Sequence, residues 1–261
     1  MAIRERIDLN SDVGESFGVY QLGLDHEVIP LISSANIACG YHAGDPAVMR
    51  KTVSVAKKNG VAIGAHPGFP DLLGFGRRNM DVSYNDIKDY VIYQIGALQA
   101  VAAFQGLRLQ HVKPHGSLYN MAVRDTAITE SILQVIAGLN QDLILFTLAG
   151  PNREGLHKLG ERYGVRIAFE FFADRAYNAD GSLVSRNEPE AVIHNPEIVA
   201  ERVLKMSKDG RVATKEGHDI ALTADTICVH GDNPEALALV RRIREVLDSE
   251  GVFVCPVGDS L

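Results

Sequence analysis

Several short stretches place imidazoles and carboxylates directly after apolar runs: "IDLNSDVGE" (7–15), "NIACGYHAGDP" (36–46), "GAHPGFPD" (64–71), "HVKPH" (111–115), "EFFADR" (170–175) and "CVHGD" (228–232). Asp12, His42 and His66 together offer one carboxylate and two imidazoles, a donor set that holds Zn²⁺ or a similar divalent ion and leaves positions open for water. Spacing alone does not fix such a site, because no two of these ligands share a helix face as in HExxH. A metal-free reading of the same residues uses Asp12 or Glu170 as general base and a histidine as acid. Four of the nine histidines, His42, His66, His115 and His230, follow apolar runs and lie within two residues of a glycine or proline. Singly, each is as easily a hydrogen-bonded structural histidine as a functional one. Their shared position favours function, since perturbable groups concentrate in clefts.

Side chains so far apart in sequence need a scaffold that gathers them. Eight apolar runs qualify as strands: "RIDLNSD", "SSANIAC", "VAIGAH", "LQHVKPH", "LILFTLAG", "RIAFEFFAD", "TICVHGD" and "VFVCPV". Helical patterns alternate with them, which predicts parallel pairing and an α/β barrel. Asp45-Pro46 reads as a helix cap and first helical position for 46–58, and Ser83 with Asp86 as a capping box for a helix through Phe104. Further helices are expected at 126–138, 152–163, 196–208 and after Asn233-Pro234. The chain reads as a single domain, 1–261, with a loop near 175–195 and a hairpin near 211–222 inserted in it. In such folds ligands bind at the C-terminal strand edge. That edge receives Asn10, Asp12 and Glu15, then Tyr41, His42 and Asp45, then His66 and Asp71, then Lys113 and His115. Glu170, Asp174, Arg175, His230 and Asp232 complete it.

Composition narrows the function. With 46% hydrophobic and 23% charged residues the chain is an ordinary globular sequence, and a formal charge of −7 without a Lys/Arg block argues against a nucleic-acid partner. Cys39, Cys228 and Cys255 are scattered in apolar runs and read as core thiols of a reducing compartment. No apolar segment is long enough to span a bilayer or to act as a signal peptide, so a cytoplasmic location is expected. A homo-oligomer remains open.

The ordered blocks "IDLNSDVGESFG", "NIACGYHAGDP", "GAHPGFPD", "GFGRR", "HVKPHGSLYN", "EFFADRAY", "LVSR" and "CVHGDNP", spread from about residue 7 to 257, resemble the LamB/YcsF family, known as the A-type subunit of prokaryotic ATP-dependent 5-oxoprolinase. Ser117 departs from the alanine more usual there. The resemblance implies an irregular (β/α) barrel of the glycoside hydrolase/deacetylase type, often seven-stranded, which leaves "VFVCPV" without an expected place. It also implies ring opening of 5-oxo-L-proline to L-glutamate, coupled to ATP hydrolysis and carried out with two other subunits. Proteins on this fold commonly bind a divalent metal through an aspartate and two histidines, by analogy Asp12, His42 and His66.

A lactam amide resists water, and ATP can activate it by phosphorylating the amide oxygen. The chain has neither GxxxxGK[ST] nor GxGxxG, so phosphoryl transfer is expected to fall wholly or partly to a partner. On this reading Asp12 positions or deprotonates water, and His42 and His66 ligate metal or polarise. Lys113 and His115 stabilise the oxyanion or protonate the leaving nitrogen. Arg77, Arg78 or Arg175 clamps the substrate carboxylate. Asn10, Glu15, His42, Asp174 and His230 are further substrate-binding positions, and Glu170 a further catalytic one. Two alternatives stand beside this: a metal-dependent deacetylase or amidohydrolase acting on a carbohydrate or small amide, and a non-catalytic lactam-binding subunit.

Overall fold

Six of the apolar runs become the strands β1 (Arg6–Val13), β2 (Ser34–Ala38), β3 (Ala62–His66), β4 (Leu109–Val112), β5 (Ile144–Leu148) and β6 (Ile167–Phe172), each paired in parallel with the next. The computed structural model describes residues 5–139, 142–150, 152–231, 233, 235–259 and 261; Asp232 and Pro234 lie outside the described residues. Between β6 and the last barrel strand, β7 (Arg211–Ala213) and β8 (Asp219–Ala221) form the antiparallel hairpin expected near 211–222. Strand β9 (Thr226–Val229) then pairs in parallel with β6 and with β1, closing a ring of seven strands, β1 to β6 and β9.

The eighth apolar run does form a strand, β10 (Phe253–Val254), but outside the ring. Among the described residues it pairs with Arg6 and Ile7, before the register that closes the barrel begins at Asp8. The cylinder therefore has no place for it, in line with the seven-strand expectation.

Successive side chains of a strand face opposite sides. On β1 this turns Leu9 outward to the helices and Asp8, Asn10 and Asp12 into the barrel. The interior is polar as a result. Asp8 is fully buried and accepts hydrogen bonds from the hydroxyls of Ser33 (2.7 Å), Ser34 (2.6 Å) and Thr226 (2.5 Å). Burial outweighs these donors and pushes its carboxyl up to about 6. His111 stacks on Phe146 (4.2 Å) and contacts Asn36 Oδ1 at 2.7 Å. Burial, followed by the charge of Lys113, pushes the imidazole down to about 3.

The helical shell is close to the pattern reading. Asp45 is the cap of Pro46–Lys58, accepting from the amides of Ala47 and Val48, and the Ser83–Asp86 capping box opens Tyr84–Phe104. Asp125 caps Thr126–Gly138 and Asn195 caps Pro196–Asp209. The last helix runs Ala236–Ser249. Gly116–Arg124 is a helix that the sequence pattern does not predict; it buries Leu118, Tyr119 and Ala122. The segment 175–195 is pinned by bridges Arg175–Val192 and Tyr177–Leu183. Among the described residues no helix is long and apolar enough to cross a membrane.

Candidate active site

Lys113 follows β4 and its ammonium ends in the middle of the barrel mouth. Its Nζ lies 2.9 Å from Asp12 Oδ1, 2.9 Å from Glu170 Oε1, 3.0 Å from Cys228 Sγ and 3.3 Å from Asn10 Oδ1. Burial opposes the ammonium, but Asp12, Cys228 and Glu170 outweigh it and hold the amine well above the usual lysine value. Burial opposes the Asp12 carboxylate as well, yet His66 and Lys113 hold it well below the usual range. Asn36 Nδ2 adds donations to Asp12 Oδ1 (2.9 Å) and Asn10 Oδ1 (2.7 Å). Glu170 is fully buried behind this layer, accepting from Asn10 (2.9 Å) and from the hydroxyl of Tyr119 (2.9 Å).

The neighbouring strand ends bring three histidines together. His42 and His115 stack with centroids 3.7 Å apart and planes within 2°, and both meet His66 edge-on. One ligand atom from each of Glu15, His42, His66 and His115 falls within 4.8 Å of the others. Asp12 Oδ1 stands 3.5 Å from His66 Nε2, on the lysine side of the cluster. Such close packing needs missing side chains elsewhere: a Cβ on Gly68 would lie 2.6 Å from His42 Nδ1, and one on Gly76 2.7 Å from His42 Cβ. Burial, then the repulsion expected between it and the neighbouring His66 ring if both were protonated, keeps the His42 imidazole well below its usual value; for His115 the causes are burial, His42 and His66. These residues fit a divalent cation, because both ring nitrogens of His42 are buried without a hydrogen bond in a cluster of borderline donors.

A cavity of about 490 Å³ opens onto this constellation. Asp12, His66, Lys113 and His115 line its floor, with Phe172, His230, Arg77 and Arg175 around them and residues 182–188 above. His230 stacks on Phe172 (5.1 Å) and its Nδ1 lies 2.9 Å from Asp174 Oδ1. Although burial opposes its charge, Asp174 is brought down to about 2 by His230 and nearby arginines.

The remaining expected site residues fall in different places. Arg77 reaches the cavity and lies over the Phe75 ring. Arg78 is not among the cavity-lining residues and pairs with Asp71. Arg175 is buried and donates to the carbonyls of Val184 (2.6 Å) and Ala191 (3.2 Å), stapling the 175–195 segment. Asn10, Glu170 and Asp174 stand behind the lining residues, each bonded to one that faces the cavity. Tyr119, Cys228 and His111 also belong to the network, and the sequence pattern does not reveal them. Tyr119 lies on the unpredicted helix, and Cys228 is hidden in an apolar run. His26, His157, His194 and His218 are exposed, as expected.

The sequence profile described as the LamB/YcsF family matches residues 7–261. The chain belongs to the LamB/YcsF family. It is 53% identical over 254 residues to the 5-oxoprolinase A-type subunit of Thermococcus onnurineus, covering 97% of this chain and 98% of that one. The protein of the same name from Bacillus subtilis is 50% identical over 254 residues, with the same coverage. Among solved structures, the lactam utilization protein from Thermus thermophilus superposes with a TM-score of 0.88 at 44% identity, covering 96% of this chain and 99% of that one.

Proposed function

We propose that this family member is the subunit of an ATP-dependent 5-oxoprolinase in which the lactam ring is hydrolysed, giving L-glutamate from 5-oxo-L-proline. One observation carries the reading: Asp12, His66, Lys113, His115 and His230 all open into a single cavity. The near full-length similarity to proteins named for this activity supports the choice of substrate.

ATP enters as co-substrate, with phosphoryl transfer on a partner subunit. Phosphorylation of the amide oxygen makes C5 electrophilic and turns that oxygen into a leaving group. Asp12, held as a carboxylate by Lys113 and Asn36, takes a proton from the attacking water. Lys113 faces the oxygen that water adds to C5, where negative charge gathers as its proton leaves and the adduct collapses. The C5–N bond then breaks, and His230, oriented by Asp174, returns a proton to the leaving nitrogen. Release of phosphate and addition of a second water's oxygen leave the γ-carboxylate. Glu170 and Asn10 position Lys113. Of Arg77, Arg78 and Arg175, Arg77 is assigned to the substrate carboxylate because it lines the cavity, as Arg124 and Arg186 also do, whereas Arg78 does not and Arg175 holds the 175–195 segment. A divalent ion at the histidine cluster would supply Lewis acidity and lower the pKa of water. The reaction belongs to a reducing cytoplasm, consistent with three free buried cysteines.

The test is a ring-opening assay on 5-oxoproline with this chain alone, with ATP, and with ATP plus the two companion subunits. Glutamate should form only in the last. ATP-independent release of acetate from an N-acetyl sugar by the isolated chain would replace this reading with a deacetylase.

A further inference from the structure

We propose that Glu15, His42, His66 and His115 bind one divalent cation of the Zn²⁺ class, and that Asp12, although adjacent, is not among its ligands.

Backbone carbonyls fix where the ring protons of two histidines lie. His66 Nδ1 lies 2.7 Å from the carbonyl oxygen of Lys113, and His115 Nε2 lies 2.8 Å from that of Phe75. A carbonyl can only accept, so both of these ring nitrogens carry hydrogen. In a neutral imidazole the other nitrogen is then a bare lone pair. Those other nitrogens, His66 Nε2 and His115 Nδ1, face each other at 2.9 Å. Two lone pairs at that distance repel unless a cation lies against both. Donation of the far ring N–H to a backbone carbonyl is, conversely, the usual way in which a metal-binding histidine is oriented.

The other two donors close the site. Glu15 Oε1 lies 3.5 Å from His42 Nε2 and 3.6 Å from His115 Nδ1, which brings a negative charge to the same point. A ring lone pair lies in the ring plane, so His42 must turn out of its parallel stack on His115 to coordinate. No hydrogen bond holds that ring in place. Asp12 is different. Its Oδ1, the oxygen beside His66, already accepts from Lys113 (2.9 Å) and Asn36 (2.9 Å), and a metal there would crowd the buried ammonium. Three imidazoles and one carboxylate suit Zn²⁺, Co²⁺ or Fe²⁺ and not Mg²⁺ or Ca²⁺, which prefer all-oxygen shells.

Metal binding here is independent of the lactam reaction and is read without turnover. The full chain, stripped with a chelator, is titrated with Zn²⁺ and with Co²⁺, following metal content and the visible absorption of bound Co²⁺. One equivalent should bind, and millimolar Mg²⁺ should not displace it. His66→Ala and His115→Ala should weaken binding at least 100-fold, while Asp12→Asn should leave it within a few-fold. Glu15→Gln and His42→Asn, which keep near-native volume, serve if the alanine variants fail to fold by circular dichroism, and each should also weaken binding. Absence of stoichiometric binding would overturn the proposal. So would loss of the metal in Asp12→Asn with retention in Glu15→Gln.

Discussion

Replacing Lys113 by methionine removes one ammonium and little volume, and it leaves two buried carboxylates behind. Asp12 and Glu170 each lie 2.9 Å from the same Nζ, and both are buried. Breaking a buried ion pair from one side costs about 3–5 kcal/mol, because the orphaned charge is left poorly solvated. Here both carboxylates are orphaned and repel each other, so the upper half of that range is expected at pH 7. A shift of about 2–4 °C per kcal/mol for a chain of this size makes the melting temperature roughly 10 °C lower. The pH dependence gives the sharper reading. Without the ammonium, burial pushes the folded-state Asp12 carboxyl up, so the penalty is full at neutral pH and shrinks as pH falls toward 4. The wild type behaves in the opposite way, since its Asp12 is held below the usual range and loses its contribution on acidification. Urea unfolding of both proteins from pH 7 to pH 4 checks this. A Lys113→Met protein as stable as wild type, or one whose deficit grows as pH falls, would refute the network as the source of the site's order.

Two more outcomes follow from the buried carboxyls. Asp8 is raised to about 6, so its ionisation burdens the fold above that pH and the burden is relieved between pH 6 and 4. Asp8→Asn should abolish this rise in stability, worth about 3 kcal/mol, in denaturant titrations across that window. Asp174, lowered to about 2, stabilises the fold above pH 4 and loses that contribution as pH falls through 2. Asp174→Asn should therefore flatten acid unfolding in that window, by about 2 kcal/mol. It should also lower kcat at least 10-fold in the reconstituted enzyme while KM for 5-oxoproline changes little.

The sequence made the scaffold legible because each barrel strand is a short apolar run broken by polar residues at its C-terminal end. Those breaks are also why His42, His66, His115 and His230 could be placed at one mouth. What escaped was pairing across strands. Asp12 and Glu15 are three residues apart, and nothing in "NSDVGE" says that Lys113 neutralises the first while the histidines gather around the second. The convergence of His66 and His115 follows from β3–β4 pairing, with Ala65 opposite Val112, a register no local pattern reveals. Arg175 looked like a substrate clamp from its place after β6, but the long segment beyond it has carbonyls to satisfy, and the guanidinium serves them. The helix Gly116–Arg124 escaped because it is short and begins at a glycine after Pro114 and His115.

The measurement closest to the central claim is glutamate formation by the reconstituted three-subunit enzyme carrying Asp12→Asn in this chain, with ATP hydrolysis followed in parallel. A fall in ring opening of about 1,000-fold or more, in a complex that still assembles, is the predicted result. Undiminished ring opening would move the chemistry to a partner and leave this barrel as a lactam-binding subunit.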